Sequence, residues 1–301
     1  MLFSILIPTY NNGKTIHKAI DSALKQDYKG EYEVVVVNNA SKDNTSEVLS
    51  QYNSPRLHIY TNNETLNLYA NHNVALRYAK GDYVIYCHGD DELLPNALSI
   101  YKEHLIHYNY PSKYIALGHS MFRDFSAWIN GYDHLLSYNM LFSGWTAKRI
   151  FASGGTTPSG TCYSRERFLE IGGFDETDGA YESDWLAFLK AAFDGFEFEF
   201  IDRMVFKREY ASTYVASNQN KIIYQRKLSE QRFISSLTSL QKEELEDMYW
   251  TYSLEMWDPI FAKPIPTREE RLDALMQRYK NAPWKIWKLL KWVLVKYEIW
   301  K

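Results

Sequence analysis

Short apolar runs alternate with polar clusters along the first third of the chain. Phe3–Pro8 is a β-rich run closed by Pro-Thr-Tyr-Asn-Asn-Gly. Beyond it Ile16, Ala19, Ile20, Ala23 and Leu24 recur at helical spacing, with Thr15 placed to cap the helix. Tyr32–Val37 is a continuous β-branched run, the composition of a strand buried on both faces, and a polar stretch at 38–44 precedes a helix expected over Thr45–Tyr52. Leu57–Tyr60 predicts a third strand, Tyr69–Ala79 a third helix, and Asp82–Cys87 a fourth strand running into His88-Gly89-Asp90-Asp91. Strands alternating with helices predict an α/β fold on a Rossmann-like, mostly parallel, doubly wound sheet.

Ligands of such sheets bind beyond the carboxyl ends of the strands. The clusters Pro8–Asn12, Asn38–Asp43 and His88–Asp91 each sit at such an end, so they are expected to converge on one crevice. From about residue 96 the pattern changes. Ala97–Tyr108 reads as a helix, Tyr114–Leu117 as a strand, Ser153–Gly160 as a polar loop and Gly172-Gly173-Phe174-Asp175 as a turn. Tyr181–Phe193 is an amphipathic helix with Trp185, Phe188, Leu189 and Ala192 on one side, and Phe196–Phe206 alternates like a strand. Beyond about Asn218 the chain reads as helical, with a helix near Ile222–Leu237 before the acidic stretch Lys242–Asp247. No internal repeat occurs, and no Pro-, Gly- or Ser-rich linker separates independent domains.

A chain of 301 residues holds one large α/β domain and a smaller appendage, because a single core stops growing at roughly 250–300 residues. Hydrophobic and charged fractions of 46% and 24% exclude a disordered chain and a polytopic membrane protein. The 24 Tyr and 9 Trp exceed what a core needs. Their half-polar rings suit sugar faces, nucleobases and membrane interfaces, although an AT-rich genome would produce the same bias. A net charge of -3 gives no general attraction to nucleic acid. Cys87 and Cys162 form neither a disulfide framework nor a zinc spacing, which fits a reducing cytoplasm. The N-terminal MLFSILIPTY lacks the basic region and cleavage site of a signal peptide, and no uninterrupted apolar stretch reaches the roughly 18 residues of a spanning helix.

Adjacent carboxylates at a strand end are the clearest chemical signal. Asp90 and Asp91 suit Mg²⁺ or Mn²⁺ held jointly with a diphosphate, the ion acting as a Lewis acid on the leaving group. The alternative for a lone acidic pair is a surface turn or a helix start that favours negative charge. Neither GxGxxG nor GxxxxGK occurs, so a diphosphate would depend on the metal for charge compensation.

The ordered segments SILIPTYNN, VVVVNNASKDNT, ANHNVALRYAKGDYVIYCHGDDELLPNAL, EIGGFDE and YESDWLAFLKAAFDG resemble the family 2 glycosyltransferases with the GT-A fold, over roughly the first 210 residues. The resemblance implies transfer of a sugar from a nucleoside diphosphate donor to an acceptor hydroxyl, usually with inversion. It divides the chain into a GT-A domain over 1–215, with a nucleotide-binding half at 1–95 and an acceptor-binding half at 96–215, and a helical C-terminal extension over 216–301. It puts Pro8, Thr9 and Tyr10 around the nucleobase and Asp90 at the ribose or metal, with Asp91 as the metal ligand proper. Asn38 departs from the family's usual Asp; its amide still accepts one hydrogen bond and also donates, so a UDP-sugar is favoured less securely. His88 occupies the place of the first acid of a DxDD pattern. Asp184 matches the acid expected to act as general base, with Glu182 as the alternative. Among Lys190, Lys207 and Arg208, Arg208 is best placed by the resemblance to meet the diphosphate. Asp175 and Glu176 read as turn residues. The QxxRW motif of processive relatives is absent.

Residues 282–297 combine Trp and Leu with regularly spaced Lys and contain no acid. Such a helix lies in a membrane interface or packs on protein; the membrane reading, through 283–301, fits a lipid-linked or other glycan acceptor at the cytoplasmic membrane face in bacterial surface-glycan assembly. A sugar nucleotidyltransferase is disfavoured because Pro8–Gly13 supplies no basic, Gly-rich loop. A catalytically inactive carbohydrate-binding scaffold is the remaining alternative, raised by Asn38 and His88. Replacing Lys288 and Lys291 with Gln is expected to weaken binding to anionic vesicles by about 1 kcal/mol per charge, read by vesicle sedimentation. Unchanged sedimentation would assign the segment to a protein contact.

Overall fold

The continuous apolar runs become strands buried at every residue. The computed structural model describes residues 1–120, 125, 126, 129, 136–153, 157–177, 183–208 and 231–245. By contacts the chain divides into Met1–Met248 and Tyr249–Lys301, and all described residues belong to the first unit. Strands β1 (Phe3–Thr9) and β2 (Tyr32–Asn38) have no exposed residue, which explains why neither sequence alternates. Between them α1 (Ile16–Leu24) buries Ile16, Ala19, Ile20 and Ala23, the helical stripe read from the sequence.

The order continues through α2 (Thr45–Leu49), β3 (Leu57–Thr61), α3 (Leu68–Tyr78), β4 (Tyr83–Tyr86), β5 (Asp91–Leu93), α4 (Ala97–His107) and β6 (Tyr114–His119). It ends with β7 (Leu141–Phe142), α5 (Gly144–Ser153), β8 (Thr161–Ser164), α6 (Arg165–Glu170), α7 (Ser183–Phe193), β9 (Glu197–Met204) and β10 (Phe206–Arg208). Residues 231–236 and 239–245 are helical. The main sheet has the order β3-β2-β1-β4-β8-β6-β9-β7. Pairs β1–β2, β1–β4, β2–β3 and β6–β9 are parallel, whereas β8 runs antiparallel to both neighbours and β7 to β9. The expected mostly parallel α/β sheet is present.

Strand β8 has no sequence signature of its own. Thr161-Cys162-Tyr163-Ser164 is fully buried without an apolar run, and Ser164 settles there because its Oγ accepts from the Tyr114 amide at 2.9 Å. The alternating stretch 196–206 is not one strand. The pairing of β6 with β9 shifts at Gly118/His119. Val205 fills the space that a Cβ on Gly118 would need, and its backbone bonds to His119 and Leu94. The chain then leaves the main sheet, and β10 pairs antiparallel with β5, setting Arg208 opposite Asp91.

The second half of the core is aromatic, with Phe151 contacting Phe198 and Phe188 at ring distances of 4.6 and 5.2 Å. The 231–245 segment joins this unit through Arg232–Asp175 at 3.1 Å and Lys148–Glu244 at 2.8 Å. Among the described residues no helix is long and apolar enough to cross a membrane. Residues 283–301 lie outside the described residues.

Helix α3 buries three consecutive polar residues, Asn71, His72 and Asn73. Asn71 Nδ2 donates to the Val37 carbonyl, and Asn73 forms a two-way bridge with the Phe174 backbone at 2.8 and 3.0 Å. Glu176 accepts from Asn73 and from Arg77, both at 2.8 Å, which fastens the 172–176 turn to α3. Gly173 has φ +57° there, and a Cβ would stand 2.5 Å from Asn73 Oδ1. Asn73→Leu strands the Phe174 amide and carbonyl and is expected to cost about 1–3 kcal/mol, read from the urea midpoint. A loss below about 0.5 kcal/mol would show that water replaces the bridge.

Candidate active site

The crevice begins where β1 and β2 end side by side, Thr9 in register with Asn38. Two loops leave these ends and are laced together. Asn11, at φ +54°, accepts from the Lys42 amide at 2.8 Å, while its own amide donates to Ser41 Oγ at 2.9 Å. Asp43 accepts from the Gly13 and Thr45 amides at 2.9 and 3.0 Å. Burial raises its pKa, but the hydrogen bonds from Thr45 and Gly13 outweigh that and hold it below the ordinary value.

Pro8 and Thr9 are buried, and Tyr10 projects its ring with 44% exposure, so of these residues Tyr10 offers a free aromatic face. Asn38 is fully buried and both ends of its amide are engaged. Oδ1 accepts from the Ser41 amide at 3.1 Å, and Nδ2 donates to Ser46 Oγ at 2.9 Å. Its visible work is to brace the loop that follows β2.

The third loop follows β4. Gly89 is packed against the first loop: a Cβ there would stand 2.6 Å from Thr9 Oγ1 and 2.8 Å from Asn12 Oδ1. Thr15 does not cap α1 through its side chain; its hydroxyl donates to the Gly89 carbonyl at 2.8 Å and so ties α1 to this loop. The His88 amide donates to Ser159 Oγ at 2.9 Å. One ligand atom each from His88, Asp90 and Asp91 lie within 4.8 Å of one another. His88 Nδ1 stands 3.7 Å from Asp91 Oδ2, and Asp91 is almost fully buried.

His88 is the outer member of a histidine pair. Its Nε2 meets His72 Nε2 at 2.9 Å, and His72 Nδ1 meets the Leu68 carbonyl at 2.7 Å. Burial pushes the His72 pKa down to about 3, helped by the neighbouring His88. Burial and then the positive charge of Arg208 hold His88 below its ordinary value. The β10–β5 ladder places Arg208 in register with Asp91 of this loop. The sequence motif contained His72, but only its place in a buried polar triplet of an otherwise amphipathic helix hinted at this contact.

Asp184 opens α7, where its Oδ1 accepts from the Trp185 amide at 2.8 Å. Ser183 beside it is buried and accepts from the Asp175 amide at 2.5 Å, so the helix start is tethered to the 172–176 turn and through it to α3. Glu182 lies outside the described residues. Lys190 is not with Arg208: it lines a different cleft of about 550 Å³ with Asp175, Phe193 and Arg232, and burial lowers its pKa. Lys207 is exposed on β10.

Two carboxylates and an imidazole form a donor set that fits Mn²⁺ and, through its oxygens, Mg²⁺. The sheet, the crevice beyond its parallel strands and the acidic loop after β4 define a GT-A domain. Residues 4–119 match the family described as glycosyl transferase family 2.

Among relatives, the poly(ribitol-phosphate) beta-N-acetylglucosaminyltransferase TarS of Staphylococcus aureus is 36% identical over 112 residues, 35% of this chain and 19% of TarS. The glucosyltransferase WfgD of Escherichia coli, described as acting with UDP-Glc on α-D-GlcNAc-diphosphoundecaprenol, is 33% identical over 99 residues, 33% of this chain and 39% of WfgD. These matches span well under half the length of either relative. The crystal structure of S. aureus TarS 1-349 in complex with UDP-GlcNAc superposes with a TM-score of 0.62 at 20% identity, covering 94% of this chain and 82% of that one. The mannosyltransferase PcManGT from Pyrobaculum calidifontis, in complex with GDP-Man and Mn²⁺, gives 0.56 at 16% identity, covering 97% and 84%. At those identities the likeness establishes the fold.

His72 generates a test in metal-free protein. Its folded pKa, about 3, lies below the 6.5 of the unfolded chain, so between those values the unfolded chain binds more protons and stability falls as pH drops. The loss is about 1.4 kcal/mol per pH unit once the pH is well below 6.5. Urea midpoints between pH 7 and 5 should fall more steeply for wild type than for His72→Gln; parallel slopes would show that His72 titrates normally.

Proposed function

We propose that this chain is a metal-dependent, inverting glycosyltransferase that moves a sugar from a nucleoside diphosphate donor, a UDP-sugar by preference, to an acceptor hydroxyl. The observation that carries the reading is the His88/Asp90/Asp91 cluster at the mouth of the crevice, within a family 2 segment. The UDP-GlcNAc and UDP-Glc named for TarS and WfgD support the choice of nucleotide.

In this reading the laced loops after β1 and β2 receive the nucleoside, with Tyr10 stacking on the base and Asn38 keeping the loop beneath it in shape. Asp90 and Asp91, with His88 beside them, hold Mn²⁺ or Mg²⁺. When bound, the ion supplies positive charge to the leaving diphosphate. Arg208 adds a second positive charge from β10. Asp184 takes the acceptor proton as the acceptor oxygen bonds to the anomeric carbon and the bond from that carbon to the diphosphate breaks. Its tether through Ser183 to the α3-bound turn holds the carboxylate to a set position. A lipid-linked or other glycan acceptor, and attachment to a cytoplasmic membrane face through 283–301, complete the reading. The GT-A domain over 1–215 and the helical extension over 216–301 belong to it.

The test compares Asp91→Asn with Asp184→Asn. Asp91→Asn is expected to lose Mn²⁺-dependent donor binding and turnover together. Asp184→Asn should keep donor affinity and lose about 10²–10⁴-fold in transfer rate, since Asn cannot accept a proton at neutral pH. Donor affinity by calorimetry and transfer rates under saturating metal decide it. Turnover that persists in chelator would overturn the metal role, and a near-normal rate in Asp184→Asn would move the base elsewhere.

A further inference from the structure

We infer that His88 is a nitrogen ligand of the site's metal ion, bound through Nδ1, and that His72 is a positioning residue that fixes the His88 tautomer. The inference rests on the metal-site reading above and deepens it by assigning the ligating nitrogen of His88 and the residue that orients it.

Proton accounting along the histidine pair carries the argument. A carbonyl oxygen only accepts, so His72 Nδ1, 2.7 Å from the Leu68 oxygen, bears a hydrogen. His72 is buried and walled by the rings of Tyr69, Tyr86 and Phe174, with the second imidazole as its other close polar contact. Such surroundings disfavour an imidazolium, so His72 is neutral and its Nε2 is a bare acceptor. The 2.9 Å contact between the two Nε2 atoms then requires His88 to donate, which puts the His88 proton on Nε2. Neutral His88 is left with a lone pair on Nδ1.

His88 Nδ1 stands 3.7 Å from Asp91 Oδ2, outside hydrogen-bond range, with an Asp90 ligand atom in the same cluster. One ligand atom from each of the three residues lies within 4.8 Å of the others, a spacing that a single bound cation bridges. The arrangement matches the general pattern in which a ligating histidine is oriented by a partner on its far nitrogen. Here that partner is a second histidine, held in turn by a helix carbonyl. An imidazole donor also moves selectivity away from Mg²⁺ toward Mn²⁺, Co²⁺ and Zn²⁺.

The experiment is electron spin-echo envelope modulation of Mn²⁺ bound to the full chain with UDP present, using protein labelled with ¹⁵N only in histidine. Wild type should show ¹⁵N coupling, and His88→Asp should keep Mn²⁺ but lose the coupling, with its Mg²⁺ affinity rising relative to Mn²⁺. His72→Leu should bind Mn²⁺ about 10-fold more weakly, and His72→Gln, whose amide oxygen accepts from His88, should recover part of that loss. Bound Mn²⁺ without histidine coupling in wild type would overturn the inference and leave the metal site standing. Coupling that survives in His88→Asp would overturn it as well, since another histidine would be the ligand. If no Mn²⁺ binds with UDP present, the metal reading and this inference fall together. Equal affinities for His72→Leu and His72→Gln would remove His72 from the proposal.

Discussion

The organisation of the site depends on three polar side chains buried in succession on α3. Asn71 turns to the β2 backbone, His72 to His88 and Asn73 to the turn before α7. Consecutive residues on a helix point about 100° apart, so one turn of helix reaches three different parts of the molecule. A buried amide or imidazole left without a partner costs free energy of the order of the bond it would have made, which gives each contact directional force that apolar packing lacks. The crevice at the strand ends, the acidic loop and the start of α7 are thereby referred to one rigid body.

The second organising feature is the exit of the chain from the sheet at Val205. Had β9 continued straight, Arg208 would have remained on the far strands with β6 and β7. The register shift opposite Gly118 and the close packing of Val205 turn the chain toward β5 instead, and a short antiparallel ladder sets Arg208 opposite Asp91. The assembly is economical: a single small residue on a neighbouring strand decides which residue the arginine stands opposite.

The first four strands, the helices between them and the convergence of their polar ends were legible because each depends on local pattern: continuous β-branched runs, helical stripes and strand-end loops. Strand β8 was not legible, since Thr161 and Ser164 are tolerated in the core only through contacts that tertiary structure supplies, as the Ser164–Tyr114 bond shows. The break between β9 and β10 was hidden for a similar reason, because alternation continues across Val205 while the partner strand changes. Among the candidate residues, Asp90, Asp91, Asp184 and Arg208 stood out as charges in a recognisable order. His72 did not, because its significance comes from an atom of His88 sixteen positions away. Thr15 was assigned a helix cap by pattern, whereas its hydroxyl is used across the fold at Gly89.

Gly89 has a consequence for how the two halves of donor recognition communicate. Its Cα packs against Thr9 and Asn12, and its carbonyl is held by Thr15, so the loop that carries the carboxylates lies directly against the loop after β1. Neither loop shifts without displacing the other. Occupancy of one compartment is then felt in the other as a free-energy coupling, and such coupling is reciprocal by thermodynamic necessity. Under the proposed function that contact couples the ion's loop to the nucleoside's, and the absence of a side chain at one position is what lets the two loops come so close.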